Sequence, residues 1–157
     1  MAETLYASLV HAFLAASAPD QAPPTDEPGA LQFQVDDHTC TVFALEGDRQ
    51  LVMQAEVMGL GGLSAESAAS ALRLLHGLNW AARESTGIVA MIDPDEQLLV
   101  SKTLEMRQLD ADSLGAEMAA LLEAAASLGT VLKASAEAGE TEPATTAASS
   151  LDYHRFS

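Results

Sequence analysis

Along this chain the apolar residues fall into two kinds of rhythm. In residues 3 to 17, Leu5, Leu9 and Phe13 recur every fourth position with Tyr6, Val10 and Leu14 beside them, the broad stripe of an amphipathic helix. The run "SAPDQAPPTDEPG", 17 to 29, holds Pro19, Pro23, Pro24 and Pro28 and cannot continue that helix, so it reads as a loop. "ALQFQVD" then alternates Leu31, Phe33 and Val35 with polar partners, the period of a half-buried strand. "TCTVFALEGDRQLVMQAEV" supplies two further strands hinged at "EGDR", where Gly47 can take a positive φ. Short connections make these three strands a meander.

After "GLGGLS" the period changes again. Ser64 is a good N-cap with Glu66 in the first turn, and the spacing predicts a helix to about Ala82. "GIVAMIDPDEQLLVSKTLEM" reads as a second hairpin turning at Pro94 and Asp95. A last helix starts near Asp110 or Asp112, with Leu114, Met118, Leu121, Ala125, Leu128 and Leu132 forming an apolar seam. From about Ala134 the residues become small and polar, which predicts disorder. The expected organisation is a folded domain over 1–133 and a flexible polar tail over 134–157. Helices and strands do not alternate one by one, so the class is α+β with an antiparallel sheet: helix, three-stranded meander, helix, β-hairpin, helix. No internal repeat is present.

Composition narrows the functions. Seven Lys and Arg against 23 Asp and Glu give a formal charge of -16. Such a chain repels nucleic acid and anionic membrane and favours basic partners. Aromatic residues are 4% of the total, so the core must be aliphatic. The single cysteine allows no internal disulfide and suits a reducing compartment. The N-terminus lacks a positive n-region and carries Glu3, which argues against a signal peptide. No stretch is read as approaching the roughly 20 apolar residues of a membrane span. The expectation is a soluble, cytoplasmic protein.

The densest chemistry is "VDDHTC", 35 to 40. A zinc site wants about four ligands, usually paired from separate segments. Here one thiol stands with one imidazole, and His11, His76 and His154 are scattered. Asp36, Asp37 and His38 are also what a tight turn prefers, and Cys40 falls in the next strand as a small hydrophobe. "GLGGL" lacks the setting of a nucleotide loop, "DPDE" is too short for a calcium loop, and no nucleophile elbow is found. His76 and Trp80 read as packing or interface residues. The expectation is therefore no catalytic residues, no metal and no cofactor. What stands out instead is strands that are apolar on both faces: Cys40, Val42 and Ala44 on one side, Thr41, Phe43 and Leu45 on the other. A sheet in a small domain buries one face under its helices, so the second face is either roofed by helices too or reserved for another chain.

The phrases "FQVDDHTCTVFAL", "RQLVMQAEVMGLG" and "LLHGLNWAARESTGIVAMIDPDEQLLVSKTL", with the closing seam "LDADSLGAEMAALLEAAASL", resemble the class I type III secretion chaperones, the group that includes the Tir chaperone family. The resemblance spans residues 3 to about 133. It implies a non-enzymatic homodimer in the bacterial cytoplasm that binds the N-terminal segment of secreted effector proteins and keeps it extended and secretion-competent. Delivery to the export apparatus, and contact with its ATPase, are implied too. Client grooves would draw on Leu5, Leu9, Phe13, Leu31 and Phe33, and the dimer seam on Leu74, Leu78, Trp80, Ile88, Ala90 and Ile92. Two rivals stay open: a regulatory or adaptor protein on the same fold, and a small metal-dependent enzyme centred on Asp36, Asp37, His38 and Cys40.

Overall fold

The computed structural model describes residues 4–17, 30–45, 47, 49–82 and 84–141. The Pro-rich connection over 18–29 and the residues after Thr141 lie outside them. Helix α1 (Leu5–Ser17) leads to strands β1 (Leu31–Val35), β2 (His38–Leu45) and β3 (Gln50–Gly59). Helix α2 (Ala65–Ala82), strands β4 (Val89–Ile92) and β5 (Gln97–Glu105), a 3-10 turn (Met106–Gln108) and helix α3 (Ala111–Thr141) complete the order. The α+β architecture expected from the sequence is present. All strand pairs are antiparallel, in the order β1-β2-β3-β5-β4, so the second hairpin inserts β5 beside β3 and leaves β4 at the edge.

Local signals account for the element ends. Ser64 Oγ accepts from the Ser67 amide (3.2 Å), capping α2. Asp110 and Ser113 cap α3 reciprocally, the Ser113 amide donating to Asp110 Oδ1 (2.7 Å) and the Asp110 amide to Ser113 Oγ (2.8 Å). Those bonds hold the Asp110 carboxyl below its ordinary pKa. Gly47 takes φ 61° at the β2–β3 turn. Asp93 Oδ1 accepts from the Asp95 and Gln97 amides and so builds the β4–β5 turn. Helix α3 continues past Ala134 to Thr141, because Ala and Glu there are good helix formers and the next proline is Pro143.

The pairing sorts the strands into two faces. Leu31, Phe33, Cys40, Val42, Leu51, Met53, Ala55, Leu98 and Val100 share the inner face and are buried. Against them pack the α3 seam (Leu114, Met118, Leu121, Ala125, Leu128, Leu132) and Leu9, Val10, Phe13 and Leu14 of α1, in one core. The rings of Phe13 and Phe33 meet at 5.8 Å, and Tyr6 donates its hydroxyl to the Val42 carbonyl (2.9 Å). By length and composition alone Ala111–Ser135 of α3 could cross a membrane, which the sequence reading had denied. Alanine between the seam positions makes it so; its Leu and Met residues are spent on the sheet.

The outer face is mixed: buried Val52 and Leu99, half-buried Phe43 and exposed Met91 sit among Thr41, Gln54, Glu56 and Thr103. Phe33→Asp places an unpaired charge at a position 3% exposed inside the core. We expect that variant to lose its cooperative melt by circular dichroism, with a cost on the order of 3–5 kcal/mol.

Candidate functional site

The hexapeptide that looked most like chemistry is a hairpin. Val35 pairs with His38 across the two-residue turn Asp36–Asp37, with Asp36 at φ 52° in the left-handed region that Asp tolerates. His38 Nδ1 lies 2.9 Å from the Glu56 carbonyl, which ties the imidazole to β3. Cys40 is fully buried, and burial, then the nearby Glu56 charge, push its thiol up to about 11. The protonated thiol is a core hydrophobe. Among the described residues no three His, Cys, Asp or Glu side chains converge as a metal site would need.

Exposed apolar surface gathers instead around α2 and β4. Leu72, Leu78, Met91 and Ile92 are exposed, and Trp80 is 76% exposed. Beside them α2 and α3 form the walls of a groove of about 610 Å³, lined by Leu74, Leu78, Ile88, Ala90 and Val131. Two charges border it, Lys102 and Glu123. Lys102 is only 18% exposed on its side chain and reaches Glu117 on α3 at 2.6 Å, a pair that pins β5 to the helix above it.

The two edges of the sheet differ. At the β4 edge the Asn79 side chain donates Nδ2 to the Ala90 carbonyl (2.8 Å) and accepts the Ala90 amide on Oδ1 (2.7 Å). One amide side chain thus imitates a strand partner and seals the middle of that edge. At the β1 edge, the two-residue turn makes Val35–His38 a hydrogen-bonded pair, and alternation turns the main-chain groups of Gln32 and Gln34 outward. Both residues are exposed.

The residues named from sequence distribute unevenly. Of the five assigned to client grooves, Leu9, Phe13, Leu31 and Phe33 are buried in the core of the single chain, and only Leu5 (43% exposed) offers surface. Of the six assigned to a seam, Leu74, Leu78, Ile88 and Ala90 line the groove, Ile92 is exposed on β4, and Trp80 is exposed on another side of α2. Sequence reading missed Asn79, although it is the only asparagine in the chain and stands in an otherwise aliphatic helix. It also missed Val131, which faces the groove beside the α3 seam.

A model of the Tir chaperone protein (CesT) family matches residues 17–129. The chain belongs to that family. Solved structures share the fold of this CesT-family chain at low identity. One is the ExsC–ExsE complex, at 22% identity and a TM-score of 0.65, covering 80% of this chain and 95% of that one. Another is the HopA1–SchA chaperone–effector complex, at 16% and 0.64, covering 80% and 94%. A third is the type III secretion chaperone SycH of Yersinia pestis with a stable fragment of YscM2, at 20% and 0.57, covering 78% and 98%. No curated protein sequence matches.

Replacing Asn79 with Leu, close in size, leaves the outward amide and carbonyl of half-buried Ala90 without partners. Urea unfolding should register a loss of about 1–3 kcal/mol. An unchanged midpoint would mean that water serves the β4 edge equally well.

Proposed function

We propose that this CesT-family protein is a homodimeric type III secretion chaperone. It binds the N-terminal segment of secreted effector proteins in the bacterial cytoplasm and holds it extended and secretion-competent. It then brings that segment to the export apparatus, where its ATPase is the expected contact. Membership of the family carries this reading, and the chaperone–effector complex among the similar folds supports it. The chemistry asked of the protein is binding alone. Nothing in the VDDHTC hairpin supplies a nucleophile or a metal cradle, so neither enters the mechanism.

Two surfaces divide the work. The open β1 edge suits an extended client, since outward main-chain groups at Gln32 and Gln34 can pair with any backbone. Phe13, Leu31 and Phe33 hold β1 and α1 rigid beneath that edge, while Leu5 and the mixed outer face supply side-chain contacts. The apolar ground on α2 and β4, with Leu78, Trp80 and Ile92 exposed, suits a second copy. A net charge of -16 opposes non-specific sticking of these surfaces to the acidic majority of cytoplasmic proteins.

Co-expression with candidate effectors, followed by limited proteolysis, tests the reading. A protected fragment at the N-terminus of a secreted protein is the expected result, and protection confined to non-secreted proteins would overturn it. Gln34→Pro removes an outward amide donor without touching the β1–β2 ladder. It should weaken client binding about tenfold while leaving the melt within about 1 kcal/mol of wild type. Ile92→Asp, at a position 39% exposed, should convert the dimer to a folded monomer of 16.4 kDa by light scattering. A variant that remains a dimer would put the seam elsewhere.

A further inference from the structure

Small residues hollow the groove between α2 and α3. Ala120, Ala124 and Ser127 step along its α3 wall at spacings of four and three, so that wall is low, while Leu74 and Leu78 raise the wall on α2. Val131, 48% exposed, stands at the end of the α3 wall nearest Thr141. The volume of about 610 Å³ falls within the roughly 300–1,000 Å³ that seated ligands fill. Of the two charges at the border, Lys102 is held by Glu117. Exposed Glu123 makes no ion pair or hydrogen bond with any described residue. The groove is thus apolar with one free negative charge.

The sequence beyond α3 carries side chains that match. Over 134–150 it holds only Ala, Ser, Thr, Gly, Glu and Pro143, with no large apolar residue and no Lys or Arg. Leu151, Tyr153, Arg155 and Phe156 then fall within six positions. In a chain with 4% aromatic residues and seven Lys and Arg in all, that grouping is dense. We propose that residues 151–156 turn back along α3 and seat in the groove of their own chain, with the apolar side chains between the two helices and Arg155 at Glu123. Chain length permits it. From Thr141 back to Val131 the helix measures about 15 Å, and the ten positions from Thr141 to Leu151 reach up to about 33 Å. Glu123 lies about 27 Å back, within the roughly 46 Å open to Arg155. Arg155 is the only Lys or Arg after Lys133, and it arrives where the groove's free charge is negative. Seating takes two aromatic rings and a leucine out of water. Tethering favours this occupant over a separate chain, because a linked segment meets its site at an effective concentration of order mM. A second copy seated on Trp80 and Ile92 meets the segment only at Leu78, since neither of those two lines the groove.

Hydrogen exchange and cross-linking of the full chain test this. Amides 151–156 should exchange about tenfold more slowly than in a free peptide of the same sequence. Val131→Asp, at an exposed position, should abolish that protection while circular dichroism stays native. Glu123→Arg alone, or Arg155→Glu alone, should weaken it, and the double variant E123R/R155E should restore it. With Ser127→Cys and His154→Cys introduced together, a short bismaleimide should join them about tenfold faster than it joins Ser8→Cys to His154→Cys, because α3 stands between α1 and the groove. Cys40 does not compete, being buried and protonated. In a mixture of isotope-labelled and unlabelled protein, each linked pair should carry one isotope only. A segment that exchanges as fast as the free peptide, or protection that survives Val131→Asp, overturns the proposal. So do equal linking rates at Ser127 and Ser8, and pairs of mixed isotope, which would seat the segment on another copy. Light scattering on the same samples keeps the dimeric reading separate: a protected segment in a monomer overturns that reading and leaves this one standing.

Discussion

A single long helix laid across one face of the sheet is the constraint on which the rest of this molecule depends. The α3 seam from Leu114 to Leu132 meets the inner residues of β3 and β5, and α1 closes the β1–β2 side of the same face. Each of those aliphatic side chains, taken out of water, contributes roughly 1.5–3 kcal/mol. With aromatic residues so scarce, the core is made of many small aliphatic contributions instead of a few large rings. The helices α1 and α3 are thereby committed to one side. The opposite face is left to its own side chains, and α2 is left at the margin beside β4.

That asymmetry governs how the molecule can meet other chains. An antiparallel sheet has two edges, and here they have been given different fates. The Asn79 amide occupies the β4 edge with short bonds in both directions, while the β1 edge keeps its outward groups. The sheet therefore offers open main-chain groups at one end and exposed apolar side chains beside the other.

Ionisable residues play supporting parts throughout. Asp36 and Asp93 shape turns, Asp110 caps α3, and His38 anchors a strand end through its ring nitrogen. Lys102 and Glu117 hold β5 to α3 at the groove margin. Cys40, pushed to about 11, has no thiolate to offer near neutral pH. Among the described residues no Asp or Glu is buried.

Much was fixed by local pattern. Periods of two and of three to four identified the three α-helices and five strands among the described residues, because burial on one face imposes those spacings directly, while the 3-10 turn Met106–Gln108 went unread. Ser64, Asp110 and Gly47 marked boundaries through main-chain hydrogen bonding and φ, which are also local matters. The family resemblance too was legible, since it lies in the succession of such patterns. Only the tertiary structure decided which apolar residues face inward across the chain. Leu9, Phe13, Leu31 and Phe33 have the same character as Leu78 and Ile92, yet the first four are buried in the core shared by α1, α3 and the sheet and the last two are exposed. Insertion of β5 between β3 and β4 depends on contacts far apart in sequence, and so does the docking of Asn79 on Ala90. A stretch of sequence records what a residue would bury, whereas the assembled fold determines what is left over to bury it against.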